Sequence, residues 1–111
     1  MDWDRFLREM DSLRITRPFT HVIHGNAPGT DKMADRWARL RGIQPVACAA
    51  LWDYYREQGK PKAAGPIRNS LMLPLFPDVA VRWPGGSGTA DMLAKVEKYK
   101  LTHPCEILCF D

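Results

Sequence analysis

The sequence contains little cysteine, no long apolar run and little excess charge. Its three cysteines, Cys48, Cys105 and Cys109, form an odd set without CxxC spacing, which indicates neither a disulfide framework nor a zinc site. No apolar run approaches the roughly 20 residues that span a membrane. The opening stretch MDWDRFLREMD lacks the apolar segment of a signal peptide. We therefore expect a cytoplasmic protein with no metal, no membrane contact and buried free thiols.

Size and charge narrow the class of protein further. A length of 111 residues predicts one domain over residues 1–111, and an apolar content of 45% with 26% charged residues is typical of a globular chain. The net charge of +3 suits an anionic ligand. It is too small and too scattered to indicate nucleic acid by itself, so nucleic acid is not an expected partner.

Short apolar segments alternate with helical patterns along the chain. The patterns predict helices over 2–14, 30–42, 65–73 and 88–100, strands over 19–25, 43–50, 78–83 and 105–110, and a polar, aromatic loop over 51–64. Strands that alternate with helices pair in parallel, with the helices on the sheet faces. The expected fold is therefore an open, mainly parallel α/β sheet of four to five strands.

Two glycine-rich turns each connect a predicted strand to the helix that follows it. HGNAPGTDKMA (24–34) and PGGSGTADMLA (84–94) each follow a predicted strand and lead into a predicted helix. Ligands of open α/β sheets bind at this edge, and unpaired N–H groups at a helix start favour phosphate. Neither turn matches the P-loop or the GxGxxG dinucleotide fingerprint. Ordinary dehydrogenase chemistry is therefore not expected.

The two turns supply most of the candidate binding residues. Thr30, Ser87 and Thr89 add hydroxyl donors, whereas Asp31 either caps the following helix or binds a ribose hydroxyl. The candidates for holding phosphate or ligand are Gly25, Asn26, Gly29, Thr30 and Asp31 in the first turn, and Gly85, Gly86, Ser87, Gly88 and Thr89 in the second.

Four ordered blocks carry a resemblance to a known family. HGNAPGTDKMADRWA, Trp52, AAGPIRNSLML and DVAVRWPGGSGTADM together resemble the YspA, cpYpsA-related branch of the SLOG superfamily, from about residue 19 to the end. These are small Rossmann-like domains, frequent in phages and mobile elements. The resemblance implies binding of a nucleotide or a nucleotide-derived ligand such as an ADP-ribose-like molecule. The superfamily also contains the LOG phosphoribohydrolases and DprA, which binds single-stranded DNA.

The LOG signature can be compared residue by residue. Arg68 and Met72 resemble the arginine and the methionine of the LOG signature. Arg68, with Asn69 beside it, is therefore expected to bind phosphate. Where LOG enzymes have the catalytic glutamate of PGGxGTxxE, this chain has Met92, and Asp91 precedes it. Adjacent helix positions point about 100° apart, so Asp91 does not inherit the direction of that glutamate. Binding without cleavage is therefore favoured.

The chain departs from the family at its start. Members of this branch begin with a strand that ends in a turn of the type GGRDW, whereas this sequence begins MDWDRF, as though that strand were missing. Two explanations stay open, a remodelled pocket or a start codon assigned downstream.

Other side chains have both structural and functional interpretations. Trp52 either stacks on a base or packs beneath the loop, and Tyr54 and Tyr55 have the same two alternatives. His24, just before the first turn, is a further candidate for ligand contact. Exposed, solvated side chains are expected for Lys60 and Lys62.

The sequence thus predicts a protein that binds a small phosphorylated nucleotide or its derivative, as a sensor or sequestering protein, without a cofactor. Two alternatives stay open: a nucleotide N-glycosidase, for which Asp31 and Asp91 are the candidate carboxylates, and a DprA-like binder of single-stranded DNA. Analogy with the LOG enzymes implies a homodimer.

Overall fold

Helices and short strands alternate along residues 2–111, the part of the chain that the computed structural model describes. The helices are α1 (Trp3–Thr16), α2 (Thr30–Leu40), α3 (Trp52–Glu57), α4 (Ala64–Met72), which continues into a 3-10 turn (Leu73–Leu75), and α5 (Ser87–Lys100). The strands are β1 (His21–His24), β2 (Gln44–Ala47), β3 (Val79–Arg82) and β4 (Glu106–Cys109). This alternation confirms the α/β class.

The strands pair in parallel, as predicted, but in two separate sheets. β1 pairs with β2, with His21 opposite Gln44, and β3 pairs with β4, with Val79 opposite Glu106. Within the described residues each sheet has two strands, so one sheet of four to five strands is not shown. The chain divides into two compact units, the first ending at Ala47 and the second beginning at Cys48. Each is described by itself.

Trp37 is the centre of the first unit. Trp37 is fully buried, as is Phe6 of α1. The ring of Phe19 packs edge-on against the indole of Trp37, with a centroid distance of 6.2 Å. The indole N–H donates to Oδ1 of Asp11 over 2.9 Å, so the one polar atom of Trp37 is satisfied. Arg41 also donates to Asp11, through Nε and a terminal nitrogen, each at 2.8 Å. This cluster fixes α1 against α2.

Both helices of the first unit have defined ends. α1 is capped by Asp2, whose carboxylate accepts from the Asp4 amide over 3.1 Å. At the end of α2, Gly42 adopts a φ of +69°, the amide of Ile43 donates to Ala38, and that of Gly42 donates to Arg39. These bonds form a Schellman motif, which requires the left-handed conformation that glycine adopts most readily. The helix stop predicted at Gly42 is confirmed.

The second unit packs α4 and α5 with β3 and β4. Trp83 is buried and stacks on Phe110 with a centroid distance of 4.4 Å, directly before the second glycine-rich turn. Met72, Val96 and Cys105 are also buried. The turn therefore begins from a fixed point in the core of this unit.

Two sequence predictions are wrong in this region. Residues 51–64 are not one loop, because Trp52–Glu57 form helix α3. The three cysteines are free thiols, as expected, but of the three only Cys105 is buried: Cys48 is half-buried and Cys109 is exposed on β4. No helix between residues 2 and 111 combines the length and the apolar character needed to cross a bilayer.

Candidate functional site

The first glycine-rich turn joins β1 to α2 by two left-handed residues. Asn26 has a φ of +56° and Gly29 a φ of +85°. Asparagine tolerates this region better than most residues, whereas at Gly29 any side chain is strained. The sharp bend brings the amides of residues 25–27 close to the first turn of α2. Among the described residues, no side chain caps the start of this helix.

The amides of this turn already have acceptors. The N–H groups of Gly25 and Ala27 both donate to Oδ2 of Asp31, each over 3.1 Å. The amide of Asn26, between them, donates to Nδ1 of His24 over 3.0 Å. Asp31 therefore bonds to the turn and does not cap α2, and its contact with a ribose hydroxyl stays a prediction.

His24 is buried, and both its ring nitrogens are engaged. It is 3% exposed, and because Nδ1 accepts from Asn26, Nε2 is the protonated nitrogen and donates to Oδ2 of Asp35 over 2.7 Å. Arg39 donates to the other oxygen of Asp35 over 2.6 Å. Arg39, and then His24, hold the pKa of Asp35 below its usual value. This network ties β1 to α2 and leaves His24 a structural role.

A groove of about 560 Å³ lies beside the first turn. Its basic side chains have partners: Lys32 donates to Oδ1 of Asn26 over 2.6 Å, and Arg36 lies 4.1 Å above the ring of Trp3. The residues that line the groove are Asn26, Lys32, Asp35, Arg36, Arg39, Leu40 and Ala47. Sequence reasoning did not identify this groove, although the spacing of 32, 36 and 39 places three basic residues on neighbouring helical positions.

The second glycine-rich turn leads from β3 through Trp83 into α5. Helix α5 begins at Ser87 after Gly86, and none of the described side chains caps it, so its first amides have no side-chain acceptor. Gly85 makes a close approach: a Cβ at this position would lie 2.2 Å from Oγ1 of Thr89. A larger residue at position 85 would therefore force the Thr89 side chain or the turn to move.

Arg68 and Asn69 connect α4 to this helix start. Arg68 donates through Nε to Oδ1 of Asn69 over 2.9 Å, and Nδ2 of Asn69 donates to the carbonyl of Gly88 over 3.1 Å. Asn69 is only 3% exposed. One buried side-chain amide therefore links the guanidinium group to the first turn of α5. These are the sequence-predicted residues that the structure brings together in the second unit.

Asp91 belongs to the same network. Nδ2 of Asn69 donates to Oδ2 of Asp91 over 3.0 Å, and Lys95 donates to the same oxygen over 2.7 Å. Lys95 also reaches the carbonyl of Pro66. Lys95 first, and then Asn69, lower the pKa of Asp91. An ionised carboxylate with these partners fixes α4 to α5 and is poorly suited to donate a proton.

The aromatic residues before α4 differ in exposure. Trp52 is 55% exposed, and its ring approaches Gly65, where an added Cβ would be 3.4 Å away. Tyr54 and Tyr55 pack edge-on against each other, with centroids 5.0 Å apart. The exposure of Lys60, predicted from the sequence, is confirmed, as is that of Lys62. Trp52, the first residue of α3, is thus more than half exposed, and its role in stacking stays a prediction.

Cys48 lies close enough to Arg68 for their charges to interact. Burial raises the pKa of the Cys48 thiol, and the positive charge of Arg68 acts in the opposite direction. The thiol is therefore neutral near pH 7. Within the part of the chain that the structure describes, no group of three or more His, Cys, Asp or Glu residues is placed to hold a metal ion.

Comparison with known proteins places these features in a wider context. The model of the YAcAr family, described as the YspA, cpYpsA-related SLOG family, matches residues 1–55. The gene 61 protein of Mycobacterium phage D29 is 34% identical over 84 residues, which are 69% of this chain and 63% of the phage protein. The chain thus spans less than two thirds of the length of this relative. No solved structure matches it.

Proposed function

Because the chain belongs to the YspA, cpYpsA-related SLOG family, we propose that it binds a small phosphorylated nucleotide or nucleotide-derived ligand. An ADP-ribose-like molecule and a nucleoside phosphate are the two forms of ligand that the family resemblance implies. In this proposal the protein senses or sequesters its ligand and does not cleave it. The phage relative fits a setting in a phage or mobile element.

One observation carries the proposal. The guanidinium of Arg68 is linked through the buried amide of Asn69 to the first turn of α5. A helix start offers amide donors and roughly half a positive charge, and Arg is a planar two-pronged donor for phosphate. The hydroxyls of Ser87 and Thr89 lie in the same first turn. These groups form a phosphate seat held in place by a buried hydrogen bond.

The partners of the two candidate carboxylates support binding over hydrolysis. Asp31 accepts two turn amides, and Asp91 accepts from Asn69 and Lys95. A general acid needs a pKa close to the working pH, whereas that of Asp91 is lowered. Met92 stands where LOG enzymes have their glutamate and cannot transfer a proton.

Family membership supports further proposals about the sheet, the ligand contacts and the subunit number. In these proposals, the strands belong to one Rossmann-like, mainly parallel sheet of four to five strands, and both glycine-rich turns serve one ligand. Trp52 then stacks on the base, and the protein is a homodimer by analogy with LOG enzymes. Titration of ¹⁵N-labelled protein with AMP tests the shared ligand, because residues of both turns must then shift with one dissociation constant. Light scattering on the purified protein measures the subunit number.

Calorimetry with AMP, ADP-ribose and ribose 5-phosphate tests the phosphate seat. We expect Arg68→Ala to weaken binding of all three probes at least tenfold, about 1.4 kcal/mol or more, because a charged hydrogen-bond donor is lost. Arg56→Ala is the matched control, since Arg56 is an exposed arginine of the same unit that pairs with Asp53 on α3. Unchanged affinity in Arg68→Ala removes this residue from the site.

A second experiment separates binding from the two alternatives. Incubation with nucleoside monophosphates and NAD, followed by chromatography, is expected to yield no free base. Release of base that Asp91→Asn abolishes would establish an N-glycosidase instead. Affinity that rises with the length of single-stranded DNA and collapses with salt would indicate a DprA-like binder, whereas a mononucleotide pocket shows little dependence on length.

A further inference from the structure

The first glycine-rich turn carries an anion of its own. The amides of Gly25 and Ala27 converge on a single oxygen of Asp31, and the intervening amide of Asn26 is taken by His24. Three successive backbone donors are therefore used within the protein. A carboxylate oxygen that accepts two amides occupies the position that a phosphate oxygen would need at the same donors.

Asp31 is close in sequence to the turn whose amides it accepts from. It is the second residue of α2, four positions after Ala27, so its carboxylate has a high local concentration at these amides. A phosphate that enters must break both hydrogen bonds and then lie beside the displaced negative charge. Gly25 is buried and Asp31 is half-buried, so water screens that repulsion less than at an open surface.

We propose that Asp31 is a specificity-determining residue that closes the first glycine-rich turn to phosphate. The phosphate of the ligand then goes to the second turn, at the start of α5. This assignment deepens the proposed function and rests on it, since it says which turn receives the charged group. Removal of the carboxylate converts the first turn into an anion site.

Titration of ¹⁵N-labelled protein with inorganic phosphate, at constant ionic strength, tests the proposal. In the natural protein the amide signals of Gly25 and Ala27 stay in place. In Asp31→Ala they shift with added phosphate, and the dissociation constant that they report lies about tenfold or more below the highest phosphate concentration at which the natural protein shows no shift, on the order of one charged hydrogen bond. Asp53→Ala, which removes an exposed acid from α3, leaves both signals as in the natural protein.

Asp31→Asn guards against loss of the turn in the alanine variant, because it keeps the size of the side chain and one oxygen acceptor. Its neutral amide holds the turn less strongly, so phosphate shifts Gly25 and Ala27 here too. Phosphate-dependent shifts of these amides in the natural protein overturn the proposal, as does their absence in both variants. Phosphate binding at the proposed phosphate seat is measured separately, from the amide signals of Ser87, Gly88 and Thr89. If these signals do not shift, the proposed function fails, whereas the proposal for Asp31 is judged from Gly25 and Ala27.

Discussion

The side-chain amide of Asn69 lies 3.0 Å from Oδ2 of Asp91, and this hydrogen bond joins α4 to α5. The same nitrogen reaches the carbonyl of Gly88, and the oxygen of the same amide accepts from Arg68. One buried residue therefore satisfies groups on three others. This amide thus helps to orient Arg68 and the candidate phosphate seat.

Asn69→Ala is expected to lower both stability and ligand affinity. It leaves partly buried polar groups without their partner, which costs about 2 kcal/mol of unfolding free energy. It also removes the hydrogen bond between Asn69 and Arg68, so the guanidinium is less well oriented and binding of AMP weakens. Urea unfolding and calorimetry measure the two effects. Ser70→Ala is the control, since Ser70 is exposed and bonds only to the carbonyl of Pro66; it changes stability by no more than about 0.5 kcal/mol.

Gly85→Ala is expected to disturb the first turn of α5. The new Cβ meets the Thr89 side chain, 3.0 Å from its Cβ and closer to its Oγ1, so Thr89 or the turn must move, at a cost of about 1–3 kcal/mol. Gly88→Ala is the matched control for stability, because no atom lies within 4 Å of its added Cβ. Alanine is also the better helix former, so this control is neutral or more stable. Equal melting temperatures for the two variants would contradict the proposed contact.

Trp52→Ala is expected to discriminate between ligands with and without a base. Stacking on an aromatic ring contributes about 1–3 kcal/mol per base, so binding of AMP weakens by that amount while binding of ribose 5-phosphate is unchanged. Tyr54→Ala removes an equally exposed aromatic side chain, 54% against 55%. It should leave both affinities as they are. Equal losses for both ligands in Trp52→Ala would show a structural role only.

Asp11 makes the stability of the chain depend on pH in the acid range. The bond from Arg41 is the largest cause that lowers the pKa of Asp11 to about 2, assisted by Trp37 and opposed by burial. A carboxyl whose pKa is depressed in the folded state stabilises the fold above its unfolded value, about 4, and loses that contribution as the pH falls toward 2. Melting temperatures measured between pH 6 and pH 2 follow this loss of stability, because that range spans the unfolded and the folded pKa of Asp11.

Two variants isolate the contribution of Asp11 to the acid dependence of stability. Asp11→Asn removes the titrating group, so its melting temperature falls less steeply with acid than that of the natural protein. Arg41→Gln removes the main cause of the lowered pKa, so the folded-state pKa of Asp11 moves toward its unfolded value and acidification removes less stability than in the natural protein. An identical slope in the natural protein and Asp11→Asn would show that Asp11 contributes nothing to acid sensitivity.

Most helices and strands could be predicted from the sequence because their signals are local. The apolar spacing of Phe6 and Met10 defines α1, and Gly42 ends α2. Helix α3 was missed because its six residues bury no side chain and so carry no apolar stripe. The division of the strands between two sheets depends on pairing partners far apart in sequence, which composition and periodicity do not encode.

The candidate site was predictable in its residues but not in its contacts. The motifs pointed to Arg68, Asn69 and the second turn, and the structure joins them in one network. That Asp91 bonds to Asn69, 22 positions away, has no signal in a single sequence. The role of Asp31 was equally hidden, because it requires the left-handed bend at Asn26 that folds the turn back onto α2.

In the proposed function, the carboxylate of Asp31 also affects the rate and the free energy of ligand binding. Because it satisfies the turn amides before any ligand arrives, the turn is preformed and does not have to become ordered on association. Binding then avoids the entropy of ordering a flexible loop, which for a small ligand is a substantial part of its free energy. In the proposed function, association of the ligand therefore does not wait for this turn to become ordered.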